Sequence, residues 1–286
     1  MAILKLEGLV AGHYECRSLD ATLPIFSDLL AAEVVDRRDG VAVVKHPNTG
    51  WLLVIHEGGP DAPTKPHGNH YGFRVADHTE IEAAWTYIHE RQDDYGITAL
   101  KEPSASHFAY SIYLDEPGGN TLELEYYNPK AAGHGRRVAA GHWGTPLGAD
   151  RFPDRGYVPQ ALSHGTMETS DVEASNRFYT EVLGLEIVGG GHRSTYIAHP
   201  DTPWYVVVLP AAEERSYLAP VNRYTLKVAS SEEVQEAHRT FSASGKDVGV
   251  TEVWDLEAQG KHDTSFIFAD LDRNWWEVTS AAWPLS

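Results

Sequence analysis

The chain has 286 residues, 42% of them hydrophobic, which is enough for two domains with cores of their own. Its 41 Asp and Glu residues against 23 Lys and Arg give a net charge of -18, which excludes electrostatic binding of nucleic acid or of an anionic membrane. A cytoplasmic protein is expected, because the single Cys16 cannot form an internal disulfide, the N-terminus has no basic segment followed by an apolar run, and no stretch approaches the ~18 consecutive apolar residues of a membrane span.

The first 130 residues predict two successive βαβββ units. In the first unit a strand from Gly8 leads to a helix that begins near Ser18, and strands over 33–36, 40–45 and 51–56 follow. In the second unit a strand over 70–75 precedes a helix over about 79–92 and a hairpin that runs from Tyr113 to Glu123. The turn of this hairpin has the glycines and the proline that a chain reversal needs.

The same pattern starts again after a linker over 131–160 that is rich in Gly, Pro, His and Arg. The clearest repeat is HPNTGWLLV at 46–54 against HPDTPWYVV at 199–207. A histidine also stands seven residues before an aspartate in each half, at His13 and at His164. We therefore predict an α+β fold of four βαβββ modules in two similar domains, 1–130 and 161–286.

Corresponding polar residues of the two halves suggest a metal site. They are His13, His70 and Glu123 in the first half, and His164, Tyr224 and Glu277 in the second. Two neutral imidazoles and one carboxylate with open positions form the facial triad that binds non-haem Fe(II), and that Mn(II) or Zn(II) can also use. Because Tyr224 replaces the second histidine in the later copy, we expect the metal ligands His70 and Glu123 in the first half.

The sequence resembles the vicinal oxygen chelate (glyoxalase/bleomycin resistance/dioxygenase) superfamily and, within it, the type I extradiol dioxygenases, which include the catechol 2,3-dioxygenases. The resemblance spans all four modules and rests on segments 70–75 and 164–185 and on the hairpin, which looks like the family's Tyr-x3-Pro-x-Gly-x3-Glu pattern. It implies modules paired into half-barrel metal-binding sheets and a homo-oligomer. It also implies catalytic roles for Tyr113, as a hydrogen-bond donor to substrate, and for His107 near the hairpin.

The first metal ligand and the acid-base residue stay open. Consecutive modules usually neighbour each other in space, which favours His13 as the first ligand. Pairing of modules two and three would bring in His164 instead. The family's acid-base histidine, at the start of the strand that closes an odd module, is missing here, because segments 50–51 and 203–204 read Gly-Trp and Pro-Trp. His56, at the far end of that strand in module one, is the remaining candidate.

Three functions are compatible with these residues. The resemblance implies ring cleavage of a small catechol or hydroquinone-like aromatic diol by dioxygen, with Fe(II), or else Mn(II), as the cofactor. The second function is that of a non-oxidative metal-dependent isomerase or lyase of the same superfamily, which the missing acid-base histidine favours. The third, a metal-free protein that sequesters drugs such as bleomycin, is disfavoured by the His70 and Glu123 pair.

Overall fold

The computed structural model describes residues 2–105, 109–127, 145–190, 193–200, 202, 204–211, 217–259 and 262–282. Within these ranges the chain forms two large mixed β-sheets and a small number of helices, and neither sheet closes into a barrel. The predicted α+β fold of four βαβββ modules is confirmed. No helix within the described ranges combines the length and the apolar character that a membrane crossing requires.

Modules 1 and 2 form most of the first 130 residues. Module 1 consists of β1 (Leu6–Cys16), α1 (Leu19–Pro24), β2 (Glu33–Arg38), β3 (Val41–Lys45) and β4 (Leu52–Glu57). Module 2 consists of β5 (Tyr71–Arg74), α2 (Thr79–His89), β6 (Ala99–Leu100), β7 (Ala109–Asp115) and β8 (Thr121–Tyr127). As the sequence predicts, Ser18 is the N-cap of α1, and its side chain accepts a hydrogen bond from the Ala21 N–H. A π-helical turn, Ile25–Leu29, continues α1.

Modules 3 and 4 repeat this order after a short 3-10 turn (Ala149–Arg151). Module 3 consists of β9 (Ala161–Thr169), α3 (Val172–Arg177) with its own π-helical turn (Phe178–Val182), β10 (Glu186–Gly190), β11 (Thr195–Ala198) and β12 (Tyr205–Pro210). Module 4 consists of β13 (Arg223–Val228), α4 (Ser231–Val248), β14 (Glu252–Val253), β15 (Glu257–Gln259), β16 (Asp263–Ala269) and β17 (Trp275–Thr279).

The modules pair across the halves of the chain. The first sheet joins modules 4 and 1 in the order β14-β16-β17-β13-β1-β4-β3-β2, with β15 beside β16. The second sheet joins modules 3 and 2 in the order β10-β11-β12-β9-β5-β8-β7-β6. The expectation that module one pairs with module two is therefore wrong. The neighbour rule fails because the 13 residues between β4 and β5 span up to about 45 Å when extended, enough to carry the chain to another sheet.

A continuous hydrophobic core connects the two sheets and their helices. At its centre the repeated tryptophans Trp51 and Trp204 stack on each other, with ring centroids 4.6 Å apart. The later part of the predicted linker also packs on this body, since Tyr157 is buried and its hydroxyl donates to the Leu29 carbonyl. The domain boundaries stay a prediction, because each sheet contains one module from each half.

Candidate metal centre

One group of buried side chains on the second sheet has the geometry of a metal site. His70 directly precedes β5, Glu123 lies on β8 and His164 lies on β9, and these three strands are neighbours. The Nε2 atoms of His70 and His164 each lie 3.2 Å from Glu123 Oε2. The three residues are 5%, 1% and 3% exposed, and their candidate ligand atoms all lie within 4.8 Å of one another. In the described part of the chain no other trio of His, Cys, Asp or Glu converges in this way.

Gly72 makes room for this arrangement. It lies opposite His164 in the antiparallel pairing of β5 with β9, and the imidazole of His164 lies across it. A Cβ atom at position 72 would come within 2.0 Å of His164 Cε1. The glycine at position 72 therefore leaves the space that the His164 imidazole occupies.

The hydrogen bonds of the two imidazoles direct both Nε2 atoms towards the carboxylate. His70 Nδ1 lies 2.7 Å from the His67 carbonyl oxygen, which can only accept, so the Nδ1–H donates to it and Nε2 is the nitrogen that faces Glu123. His164 Nδ1 lies 3.2 Å from Glu125 Oε1. Glu125 Oε1 also accepts from Ser163 Oγ at 3.1 Å and from Arg74 Nη2 at 2.5 Å. Such partners orient metal-binding histidines in other proteins.

The charges around this group favour a bound cation. Burial by itself would lower the pKa of His164, but the Glu125 and Glu123 carboxylates outweigh it and raise that pKa to about 9. Burial would likewise raise the pKa of Glu125, but Arg74 and His164 lower it to about 2. The site thus attracts a positive charge, which a proton on His164 supplies in the absence of metal. A divalent ion facing two imidazole nitrogens and one carboxylate fits the same atoms without a further change of side chain.

Tyr113 stands beside this group. It faces Glu123 in the β7–β8 pairing, and its ring meets the edges of the His70 and His67 rings at centroid distances of 5.4 and 4.8 Å. Burial, followed by the charge of Glu123 and a hydrogen bond with it, raises the pKa of the Tyr113 hydroxyl. The hydroxyl therefore stays protonated and can donate a hydrogen bond at neutral pH.

A row of aromatic rings extends from the group along the third module. The ring of Tyr205 stacks on His164 with a centroid distance of 5.4 Å, and Tyr196 stacks on Tyr205 at 5.0 Å. Arg74 Nη2 donates to the Tyr205 hydroxyl at 2.8 Å. The buried rings therefore pack behind the imidazole of His164, and Arg74 fixes the position of the first of them.

The structure corrects the choice of His13 as the first ligand. His13 lies on β1 in the first sheet, and His164, the alternative that the sequence left open, stands beside Glu123. The reason is the module pairing, which places β9 rather than β1 next to β5. His107 lies outside the described residues, so its role stays a prediction. His56 is bound to His13, with 3.1 Å between His56 Nε2 and His13 Nδ1, and is likewise in the first sheet.

The equivalent place in the first sheet has different residues. Its acid, Glu277, accepts from Arg223 Nε at 3.0 Å and from Thr225 Oγ1 at 3.1 Å. His13 Nε2 lies 2.8 Å from Thr225 Oγ1 but 3.8 Å from Glu277 Oε2. Burial, then the charges of Arg223 and His56, lowers the pKa of His13 well below its usual value, so its imidazole is neutral.

Comparison with known proteins identifies a family for the second half of the chain. Residues 161–278 match the Glyoxalase/Bleomycin resistance protein/Dioxygenase superfamily. The matched segment, which covers modules 3 and 4, is a domain of this superfamily. Catechol-2,3-dioxygenase of Bacillus subtilis (strain 168) is 23% identical over 269 residues, which cover 78% of this chain and 89% of that protein.

Two solved structures share the fold over nearly the whole chain. Glyoxalase I from Zea mays superimposes with a TM-score of 0.64 at 16% identity, covering 95% of this chain and 92% of that chain. A putative dioxygenase from Bacillus subtilis subsp. subtilis str. 168 does so with a TM-score of 0.63 at 12% identity, covering 96% of this chain and 85% of that chain.

Sequence reasoning missed the residues that support the ligands. Glu125 was visible as the second acid in the alternating segment 122–125, on the same strand face as Glu123. Arg74 and Gly72 gave no signal, because their roles depend on which strand of another module lies beside β5. His67 was likewise missed, because it acts through its backbone carbonyl.

Proposed function

We propose that the chain is an Fe(II)-dependent extradiol-type dioxygenase that cleaves the ring of a catechol or hydroquinone-like aromatic, with His70, Glu123 and His164 as the metal ligands. The observation that carries the proposal is a buried site of two imidazoles and one carboxylate. Three protein ligands leave open coordination positions, which is typical of non-haem Fe(II) oxygenases. The curated relative that is a catechol-2,3-dioxygenase supports an aromatic diol as the substrate class.

Bound Fe(II) would supply a Lewis-acid and redox centre at which a diol and dioxygen can both react. The residues of the chain supply position and proton control. Tyr113, held beside Glu123, is the hydrogen-bond donor to a substrate oxygen. The buried, stacked rings of Tyr205 and Tyr196 pack against His164 and help to hold its imidazole in place. His107 is the second proposed catalytic residue.

One observation favours the second candidate, a non-oxidative metal-dependent isomerase or lyase. The two positions at which the family carries its acid-base histidine are followed by Trp51 and Trp204, which are stacked on each other in the core. The next residue of β12, Tyr205, faces His164, but its hydroxyl is held by Arg74. Proton transfer of the kind that contributes ~10²- to 10⁴-fold in other enzymes then depends on other residues.

The test is oxygen uptake by anaerobically purified protein loaded with Fe(II), measured with a panel of catechols and hydroquinones. The expected result is stoichiometric oxygen consumption with a new yellow absorbance, abolished in His164→Ala and retained in the matched variant His13→Ala. A protein that binds one metal per chain, consumes no oxygen with any diol, and converts a substrate under anaerobic conditions would instead establish the isomerase or lyase.

A further inference from the structure

A cavity lies between the two sheets, separate from the metal ligands. The empty space between its lining atoms is about 300 Å³ with open solvent included, and only a small part of it is wide enough for a group the size of one or two waters. Its lining includes the rings of Tyr71 and Tyr224 and the side chains of Lys65, Asn222 and Arg223. The cavity thus combines hydrogen-bond donors with aromatic ring surface.

Lys65 is the unusual residue of this cavity. Its side chain is buried, with the residue only 7% exposed. The ammonium lies over the rings of Tyr71 and Tyr14, with 4.5 and 5.1 Å between Nζ and the ring centroids. Within the described ranges Nζ has no hydrogen bond and no carboxylate within ion-pair distance. A buried ammonium without an anion is costly, and burial lowers the pKa of Lys65 to about 7.

The nearest acid cannot serve as the missing partner. The charge of Glu116 partly offsets the effect of burial on the Lys65 pKa. Its carboxylate, however, already accepts from Thr22 Oγ1 at 2.7 Å and from Asn120 Nδ2 at 2.7 Å, and from the Gly118 N–H at 3.0 Å. Glu116 therefore stabilises the hairpin turn, and the ammonium remains available to a ligand.

The repeat shows that the fold itself does not need a charge here. Lys65 corresponds to Leu218, which lies 153 residues later, the same offset that separates Trp51 from Trp204. Both residues line the same cavity. The chain therefore keeps a buried cation at a position where its own second copy has an aliphatic side chain.

A second hydrogen-bond donor, the Asn222 amide, lines the same cavity as Lys65. Asn222 Oδ1 accepts from the Glu15 N–H at 3.1 Å, while the amide Nδ2 of Asn222 has no partner in the part of the chain that is described. We propose that this cavity binds a small carboxylate, such as formate or acetate or the carboxylate end of a larger metabolite, through the Lys65 ammonium and the Asn222 amide. Arg223, which also lines the cavity, adds positive potential although it is paired with Glu277.

The test is the thermal unfolding midpoint of the metal-loaded protein as sodium formate is raised at pH 6, with ionic strength held constant by the sodium salt of MES, a bulky sulfonate that is partly anionic at this pH. A saturable rise is expected, of about 3 °C at ten times the dissociation constant. The rise should vanish in Lys65→Met and weaken at least threefold in affinity in Asn222→Ser. It should persist in Lys246→Met, which removes an exposed lysine of α4.

Binding at the metal is distinguished by repeating the titration with His70→Ala, which removes a proposed metal ligand. Persistence of the formate effect in His70→Ala and its absence in Lys65→Met support the cavity. No saturable rise in the unmodified protein, or an equal rise in Lys65→Met, overturns the proposal. Neither result bears on the dioxygenase, which is tested by oxygen uptake.

Discussion

The two sheets are built from the same modules but differ at the positions that surround the buried acid. By the 153-residue offset, His164 corresponds to Ala11 and His70 to Arg223. The acid is retained as Glu277, one residue further along because module 4 has one more residue than module 2 between its first strand and its last hairpin. In the second sheet the carboxylate faces two imidazoles, whereas in the first it faces a guanidinium and a threonine hydroxyl.

This difference shows how a buried carboxylate can be balanced in two ways. A buried negative charge needs a cation close by, since desolvation of an unpaired carboxylate costs several kcal/mol. Arg223 provides that cation within the chain. The second sheet provides only imidazoles, so its carboxylate relies on a proton or on a bound metal. In one copy Arg223 neutralises the carboxylate of Glu277 permanently. In the other copy the cation beside Glu123 can be exchanged, because a metal ion can replace a proton.

Removing a proposed metal ligand should have the largest effect on the difference between the two sheets. His164→Ala is expected to lower metal affinity more than about 100-fold, beyond the 10- to 100-fold effect of losing a supporting residue. Glu277→Gln changes the corresponding acid of the first sheet and should leave metal content unchanged. Metal analysis after anaerobic gel filtration measures both. Normal metal content in His164→Ala, or loss of metal in Glu277→Gln, would mean that the wrong sheet has been assigned.

The converse change should create a second site. Copying the second sheet into the first requires Ala11→His and Arg223→His for the ligands, and His13→Thr to vacate the space. It also requires Thr225→Gly, because Thr225 pairs with Ala11 as Gly72 pairs with His164. The four changes together are expected to raise the metal content from one to two per chain, as measured by Co(II) titration.

The variant that carries three of these changes but keeps Thr225 is the matched control. It should remain at one metal per chain, because the side chain at 225 would occupy the place of the new imidazole. A second metal in this control would contradict the role given to Gly72.

The fold and half of the site could be predicted from local sequence. The hairpin pattern and the 53-residue spacing pointed to His70 and Glu123, which the structure brings together. The pairing of modules could not be read in the same way, because the segment between β4 and β5 is long enough to reach either sheet. Backbone pairing between modules distant in the chain decided which histidine completes the group.

His13 was misleading for a physical reason. It lies 151 residues before His164, whereas the tryptophan repeat fixes the offset at 153, so Ala11 is the true counterpart. Residues two apart on a strand point to the same face. His13 therefore contacts Thr225 and approaches Glu277 on the same strand face that a metal ligand would occupy. Only the exact register shows that His13 is not the counterpart of His164.

Removing the Arg223 guanidinium should lower the free energy of unfolding. Arg223→Met leaves Glu277 buried without its guanidinium, and the side chains are 14% and 7% exposed. The expected cost is about 3 kcal/mol in the free energy of unfolding, as for a buried pair that loses one partner. Urea unfolding measures it, and the double variant Arg223→Met with Glu277→Leu should recover most of the loss. Metal content should not change, and a cost below about 1 kcal/mol would show that Thr225 alone satisfies the acid.

Glu125→Gln is expected to change metal affinity the least. It tests whether a proton occupies His164 when no metal is bound. At pH 9 and above, the variant should bind Co(II) about 10- to 100-fold more weakly, because His164 loses the carboxylate that orients it. Below pH 9 a metal must displace the proton of His164 in the unmodified protein, so its affinity falls by about tenfold per pH unit.

In Glu125→Gln the pKa of His164 is lower, because the carboxylate charge that raises it most is gone. Proton competition then begins at a lower pH, and the difference between the two proteins should shrink from pH 9 to pH 7. Chelator competition at both pH values measures this, with Glu236→Gln on the exposed face of α4 as the control. A difference that stays constant or grows towards pH 7 would show that Glu125 acts on metal binding through orientation alone, without holding a proton on His164.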